Sequence, residues 1–288
     1  MFQREKQVVK VRTGRLIIWP WVILSVIGVL VIAGGWSCGE SPDRQTDTRL
    51  RVYVTIAPQA FFAERIGGEE VAVAALVPSG QSIHTYEPTP RQVGELEDAD
   101  LFFRIGVPFE NRLIRQVAGV IGEDQVIDTR WGVKLLPMEG HAHHDEDEHE
   151  PAGEGESLDP HIWLDPALVK VQVATMAEAM TSLRPEQADY FAARLRQFEL
   201  ELDSVDAVIR DMLAPYAGKP VYIFHPSYGY FTARYGLRQV AIEDEGKEPS
   251  AKALAGVIDR ARTDSITVVF AQRQFAQKTA EAVATAIG

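Results

Sequence analysis

Cysteine is nearly absent, with one residue, Cys38, in a chain of 288. One thiol can build neither a disulfide framework nor a thiolate metal cluster. Basic charge is also short, at 29 Lys+Arg against 41 Asp+Glu for a net charge of −12, which argues against nucleic acid as a partner because a phosphate backbone calls for cationic surface. The chain is not polar enough to stay unfolded either. Hydrophobic residues make up 46% and charged residues 24%, so a core can form, and the length suffices for about two domains. The helical zinc-hydrolase signature His-Glu-x-x-His does not occur.

What charge there is lies unevenly. Residues 1–38 carry five bases (Arg4, Lys6, Lys10, Arg12, Arg15) and one acid (Glu5), leaving 24 of the 29 bases and 40 of the 41 acids for residues 39–288. From Leu16 to Trp36 the chain runs 21 residues without a charge, a length of about 31 Å as a helix and hence a bilayer core. Holding the basic side in the cytoplasm puts the remainder outside. The run ends in Gly35-Trp36-Ser37-Cys38, similar to a bacterial lipoprotein signal in which Cys38 becomes the acylated N-terminus. Trp36 is bulky where such signals carry a small residue, so an uncleaved N-terminal membrane anchor is the competing expectation. Both readings make the working domain extracytoplasmic and tether it to the membrane through residues 1–48.

From Leu50 onward short β-rich runs alternate with helical patterns, the signature of parallel α/β architecture. In the first half, strands are expected at 50–56, 71–77, 101–105 and 125–128, with helices near 59–66, 89–99 and 110–121. Residues 139–156 break the rhythm with eight acids and four histidines (His141, His143, His144, His149), a composition that cannot pack and reads as a solvated loop. Two helices are expected next, at 166–183 and 185–213. In the second, Phe191, Leu195, Phe198, Leu202, Val205, Ile209 and Met212 recur at helical spacing, one apolar face over roughly 40 Å. Its position between two α/β blocks suits a strut. A second block follows, with strands expected at 221–225, 238–243 and 267–271, each leading into a helix. The fold class is therefore α/β, two parallel-sheet lobes joined by a long rigid helix. The expected divisions are an N-terminal lobe at 49–184, the linking helix at 185–214 and a C-terminal lobe at 215–288, which has room for three strands against four in the first and reads as incomplete.

Outside the acidic loop three histidines remain, His84, His161 and His225. Each stands where a strand region gives way to a loop. Pro226 keeps His225 extended, and Asp165, four residues past His161, can cap the helix that opens on Pro166. Open α/β sheets bind ligands beyond the carboxyl ends of their strands. Neutral imidazoles are good zinc ligands, and a three-histidine site needs no cysteine. Only the fold can bring these three together, because they lie 77 and 64 residues apart. Taken singly, each reads first as a hydrogen-bonded structural or surface histidine, and it is the three together that point to a ligand set.

Four segments carry a family resemblance: His84-Thr85-Tyr86-Glu87-Pro88-Thr89-Pro90, Asp159-Pro160-His161-Ile162-Trp163-Leu164-Asp165-Pro166, His225-Pro226-Ser227-Tyr228-Gly229-Tyr230-Phe231, and Gly246-Lys247-Glu248-Pro249-Ser250. With these in this order, the chain resembles, from about Arg49 to its end, the solute-binding proteins of bacterial zinc and manganese ABC importers, in their zinc-binding branch. The resemblance implies a metal site between two lobes, with His84 and His161 from the first and His225 from the second. It implies Zn2+ as the transported ligand rather than Mn2+, since manganese members place a carboxylate where His225 stands. It also implies an ABC importer permease as partner and a monomer that captures and delivers without chemistry. A fourth ligand, an aspartate in many members, lies beyond the point where this sequence stops, so water, that absent aspartate or a loop histidine all stay open. Glu243 is a candidate acceptor for His225. The ligands must be neutral, so zinc affinity is expected to fall as pH drops through about 6.5. Two other functions fit the same features: a surface adhesin or zinc-buffering lipoprotein of this fold, and a zinc hydrolase using Glu87 or Glu243 as base.

Overall fold

A computed structural model of the chain describes residues 47–138, 158–243, 247–275 and 277–288. The anchor segment, Cys38, and the loop 139–156 with its four histidines lie outside the described residues. Among the described residues no helix is long and apolar enough to cross a membrane.

The first sheet contains β1 (Leu50–Ile56), β2 (Val71–Val77), β3 (Leu101–Arg104) and β4 (Val126–Asp128), all parallel in the order β2-β1-β3-β4. Helices α1 (Ala57–Gly67), α2 (Pro90–Leu96) and α3 (Pro108–Val117) connect these strands. Two longer helices follow, α4 (Pro166–Leu183) and α5 (Ala188–Leu213). A parallel sheet is covered on both faces, so its strands are apolar on both sides. Leu101 and Phe103 pack with Phe62 and Ile66 of α1, Val173 and Met176 of α4, and Phe191 and Phe198 of α5. Phe102, between them, points the other way and joins Leu96 of α2 and Leu113 and Val117 of α3. Helices α2, α3 and α4 each open on a proline, whose fixed φ suits the first helical position and whose missing N–H is not needed there.

The second sheet is three-stranded and parallel, with β5 (Pro220–Ile223), β6 (Arg238–Ala241) and β7 (Val269–Phe270) in the order β6-β5-β7. Each strand leads into a helix: α6 (Gly229–Arg234), α7 (Ala251–Thr263) and α8 (Gln277–Ile287). Phe224 and Ile242 are buried with Leu254 and Val257 of α7 and Ala280 and Val283 of α8. Val268 and Phe270, at the β7 edge, are more than half exposed.

Two expectations need correction. Strand β5 ends at Ile223, so His225 lies two residues past the strand and not in it. Phe224 still bonds on both sides, its N–H donating to Phe270 C=O (2.8 Å) and its C=O accepting from Glu243 N–H (3.1 Å), whereas His225 N–H is met by the Gln272 side chain (3.3 Å), which ends the ladder. The apolar face of α5 is buried only in its first half. Phe191, Phe198 and Leu202 lie in the first lobe's core with Leu195 against it, whereas Val205 and Met212 are 49% and 67% exposed. Past Leu202 the helix leaves that core, and polar contacts take over: Asp206 accepts from Arg234 Nε (2.7 Å) and the Tyr235 hydroxyl (2.9 Å) of the second lobe.

Candidate metal centre

Each histidine arrives on a segment whose local geometry follows from its sequence. His84 lies in the connection from β2 to α2, which turns through Pro78 and Gly80, the latter at φ +85, a conformation that glycine adopts without steric cost. Gln81 N–H closes the turn on Pro78 C=O (3.2 Å), and His84 N–H donates to Ser82 Oγ (3.3 Å). His161 begins a single 3-10 turn, Ile162–Leu164, that ends on Asp165. Asp165 in turn caps α4, its side chain accepting from Ala167 N–H (2.8 Å). His225 follows β5, its peptide held on both sides by Gln272, which accepts from His225 N–H and donates to His225 C=O (2.9 Å).

The three side chains converge. One ring nitrogen from each lies within 4.8 Å of the others. His84 Nε2 is 3.1 Å from His225 Nε2, which is 3.4 Å from His161 Nε2. His161 and His225 are buried, and His84 is half-buried. Behind the two buried rings stand two buried carboxylates. His161 Nδ1–H donates to Asp159 Oδ1 (2.6 Å), and His225 Nδ1–H donates to Glu243 Oε1 (2.6 Å). Asp159 Oδ1 also accepts the His161 backbone N–H (2.8 Å).

These bonds decide the tautomer. A carboxylate only accepts, so the proton of each neutral ring sits on Nδ1 and the lone pair on Nε2. At 3.4 Å the Nε2 atoms of His161 and His225 therefore face each other with no proton to share. Four tetrahedral ligands at about 2.05 Å from a zinc ion stand about 3.3 Å apart; two of the pairs, at 3.1 and 3.4 Å, are close to that spacing, and the His84–His161 pair lies within 4.8 Å. Burial also favours the neutral form of His84 and His161. Burial, reinforced by the neighbouring His161 and His225, pushes the His84 pKa down to about 3. Burial likewise lowers that of His161 against the opposing pull of Asp159.

A cavity of about 180 Å³ opens onto the three rings, walled by Gln81, Trp163, Tyr228 and Phe275. The Phe275 ring stacks on His225 with centroids 4.3 Å apart and planes 21° from parallel. Glu87 does not approach as a base: its side chain is 74% exposed and pairs with Arg112 (3.0 Å). Glu243 accepts from His225, the contact for which it is a sequence candidate. Sequence reasoning missed Asp159, Gln272 and Phe275. Asp159 carried a readable signal, since Asp-Pro-His fixes the backbone between carboxylate and imidazole at Pro160. For Gln272 and Phe275 no local pattern marks the role.

A family model described as zinc-uptake complex component A, periplasmic, matches residues 52–288. The high-affinity zinc uptake system protein ZnuA of Bacillus subtilis (strain 168) is 27% identical over 281 residues, covering 93% of this chain and 84% of that protein. A crystal structure of ZnuA superposes with a TM-score of 0.75 at 38% identity, covering 83% of this chain and 88% of that one. A ZnuA deletion mutant with zinc bound gives 0.74 at 36%, covering 83% and 87%.

Proposed function

Because this chain belongs to the family of periplasmic A components of zinc-uptake complexes, we propose that it captures Zn2+ outside the cytoplasmic membrane through His84, His161 and His225 and delivers it to the permease of an ABC importer. The observation that carries this reading is the pair of carboxylate-fixed Nε2 lone pairs facing each other at 3.4 Å, with a third ring nitrogen 3.1 Å from one of them. The two fixed lone pairs repel each other when the site is empty, and a cation entering among the three nitrogens relieves that repulsion.

Three ring nitrogens and, among the described residues, no carboxylate within the ligand cluster favour zinc over manganese, which prefers oxygen donors. The two charges needed to balance Zn2+ stand one bond further out, on Asp159 and Glu243. There they raise the basicity of the imidazoles and fix the ring orientations. The cavity leaves room beside the three rings for a fourth ligand, water or a histidine of the 139–156 loop. Both buried carboxylates are engaged by imidazole N–H, so neither is disposed as the base a hydrolase would need. The family is one of transport components, and capture with handover is the activity this reading assigns.

Delivery requires the domain to stay beside its permease, and tethering through residues 1–48, by lipid on Cys38 or by an uncleaved 16–36 helix, supplies that. The domain works as a monomer in this reading. The test is reconstitution of the full chain with its cognate permease and ATPase in vesicles. Zinc-loaded chain should stimulate ATP hydrolysis and zinc transport, and the His225→Ala chain should not. Equal transport with and without the chain would contradict the proposal.

A further inference from the structure

The two buried ligands come from different lobes, yet their Nε2 atoms are held 3.4 Å apart. Helix α5 reaches the second lobe past Leu202 through Asp206, which accepts from Arg234 and Tyr235, but among the described residues its hydrogen-bonded link to the His161 segment runs through that Arg234. The short helix α6 lies against the His161 segment instead. Pro226 keeps the chain extended after His225, and α6 starts at Gly229, four residues on, so its position follows that of His225. A Cβ built on Gly229 would stand 2.8 Å from Asp159 Oδ2, so the helix start abuts the carboxylate whose other oxygen holds His161. Next along, the buried Tyr230 hydroxyl donates to Asp159 C=O (2.9 Å) and accepts from Leu136 N–H (3.0 Å). Leu136 C=O accepts from Asp159 N–H (2.9 Å), beside the antiparallel bridge of Pro137 with Leu158. One turn later Arg234 Nε reaches Asp165 (3.1 Å) and Asp206 of α5 (2.7 Å). Segment 159–165 is thus gripped by α6 at both ends, with His161 between the grips.

We propose that α6 is an interlobe latch that sets the spacing of His161 and His225, with Tyr230 as the positioning residue that acts on His161 through Asp159. The inference rests on the reading of these histidines as zinc ligands. Burial raises the Tyr230 phenol pKa to about 12, so at neutral pH the hydroxyl keeps its proton and can donate and accept at once. Tyr230→Phe removes that hydroxyl and leaves the ring in its packing. Without it, the backbone two residues before His161 loses its tie to the second lobe, and the Nδ1–H bond to Asp159 loosens.

The experiment is a double-mutant cycle on the full chain, read by competition with a chromogenic zinc chelator. Loss of an outer contact of this kind typically weakens metal affinity about 10–100-fold, and Tyr230→Phe is expected at the lower end of that range. In a His161→Ala background, measured on its residual affinity, Tyr230→Phe should have no further effect, since it acts through the missing ring. Equal losses in both backgrounds would mean a general structural role and overturn the proposal. Gly229→Ala, which keeps every hydrogen bond and pushes a methyl toward Asp159, should behave the same way and serves if Tyr230→Phe does not fold. A second readout needs no metal: in the zinc-free chain, the His161 Nδ1–H proton seen by NMR should exchange with water faster in Tyr230→Phe than in wild type. Unchanged exchange overturns the latch. A wild-type chain that takes up no zinc sinks the three-histidine reading, and the exchange result still decides the latch.

Discussion

Replacing Glu243 with Gln removes one buried charge and little volume. In the native chain Glu243 Oε1 lies 2.6 Å from His225 Nδ1, with the two side chains 3% and 4% exposed. A hydrogen bond to a charged partner contributes about 1.5–3 kcal/mol net against about 0.5–1.5 for a neutral one. The difference, about 1–2 kcal/mol, corresponds to roughly a 5- to 30-fold loss of zinc affinity. A second effect works in the same direction. Glutamine can present either its oxygen or its amino group to Nδ1, and the amino group moves the ring proton to Nε2, where it blocks the metal. The zinc-free fold should not suffer, because a buried carboxylate costs desolvation that an amide avoids. The assay is zinc competition at pH 7.5 with the melting temperature of the zinc-free chain alongside. Affinity should drop while the melting temperature holds or rises. Wild-type affinity in Glu243→Gln would refute the claim that this carboxylate acts on zinc through His225.

Acid should act on the zinc-free fold through the depressed histidines. His84 is held near a pKa of about 3 and His161 is also lowered, so between there and the unfolded value of about 6.5 the unfolded chain binds more protons, and stability is lost as pH falls through that window. Melting temperatures from pH 7.5 to 4.5 should show this, with a shallower slope in His84→Ala; an identical slope would contradict it. Phe191→Ala should cost about 3–5 kcal/mol in denaturant unfolding, because Phe191 is fully buried between α5 and the first lobe, while zinc stoichiometry stays at one; an unchanged unfolding midpoint would contradict that packing. Excising 139–156 and joining the ends with two glycines should leave tight zinc binding intact, since Pro137 and Leu158 are already paired across the gap. Loss of the tight site would mean that a loop histidine is a ligand.

Much of the fold was legible because its signals are local. Val-rich runs, closed by Ala57-Pro58 and by Pro78, marked β1 and β2 to the residue, and the proline at the head of α4 fixed its start. The errors came where tertiary contacts override composition. Phe224 and His225 look like strand residues, but a glutamine side chain 47 positions away takes the His225 N–H. Val205 and Met212 continue a helical stripe, yet their part of α5 lies beyond the first lobe. Strand order was not readable either, since several right-handed crossovers satisfy the same alternation. At the site, the three histidines and Glu243 could be picked out by their places after strands and by motif. Asp159 was visible in principle, two residues from His161. The roles of Gln272, Phe275 and Tyr230 depend on contacts across long stretches of sequence, which no spacing rule encodes.

The central claim is that three imidazole Nε2 atoms hold zinc between the lobes. Zinc K-edge X-ray absorption on the full chain loaded with one equivalent tests it directly. The account predicts three imidazole nitrogens at about 2.0–2.1 Å, with loss of imidazole scattering when His84, His161 or His225 is replaced. A first shell dominated by oxygen, or an unchanged spectrum in all three single variants, would contradict it.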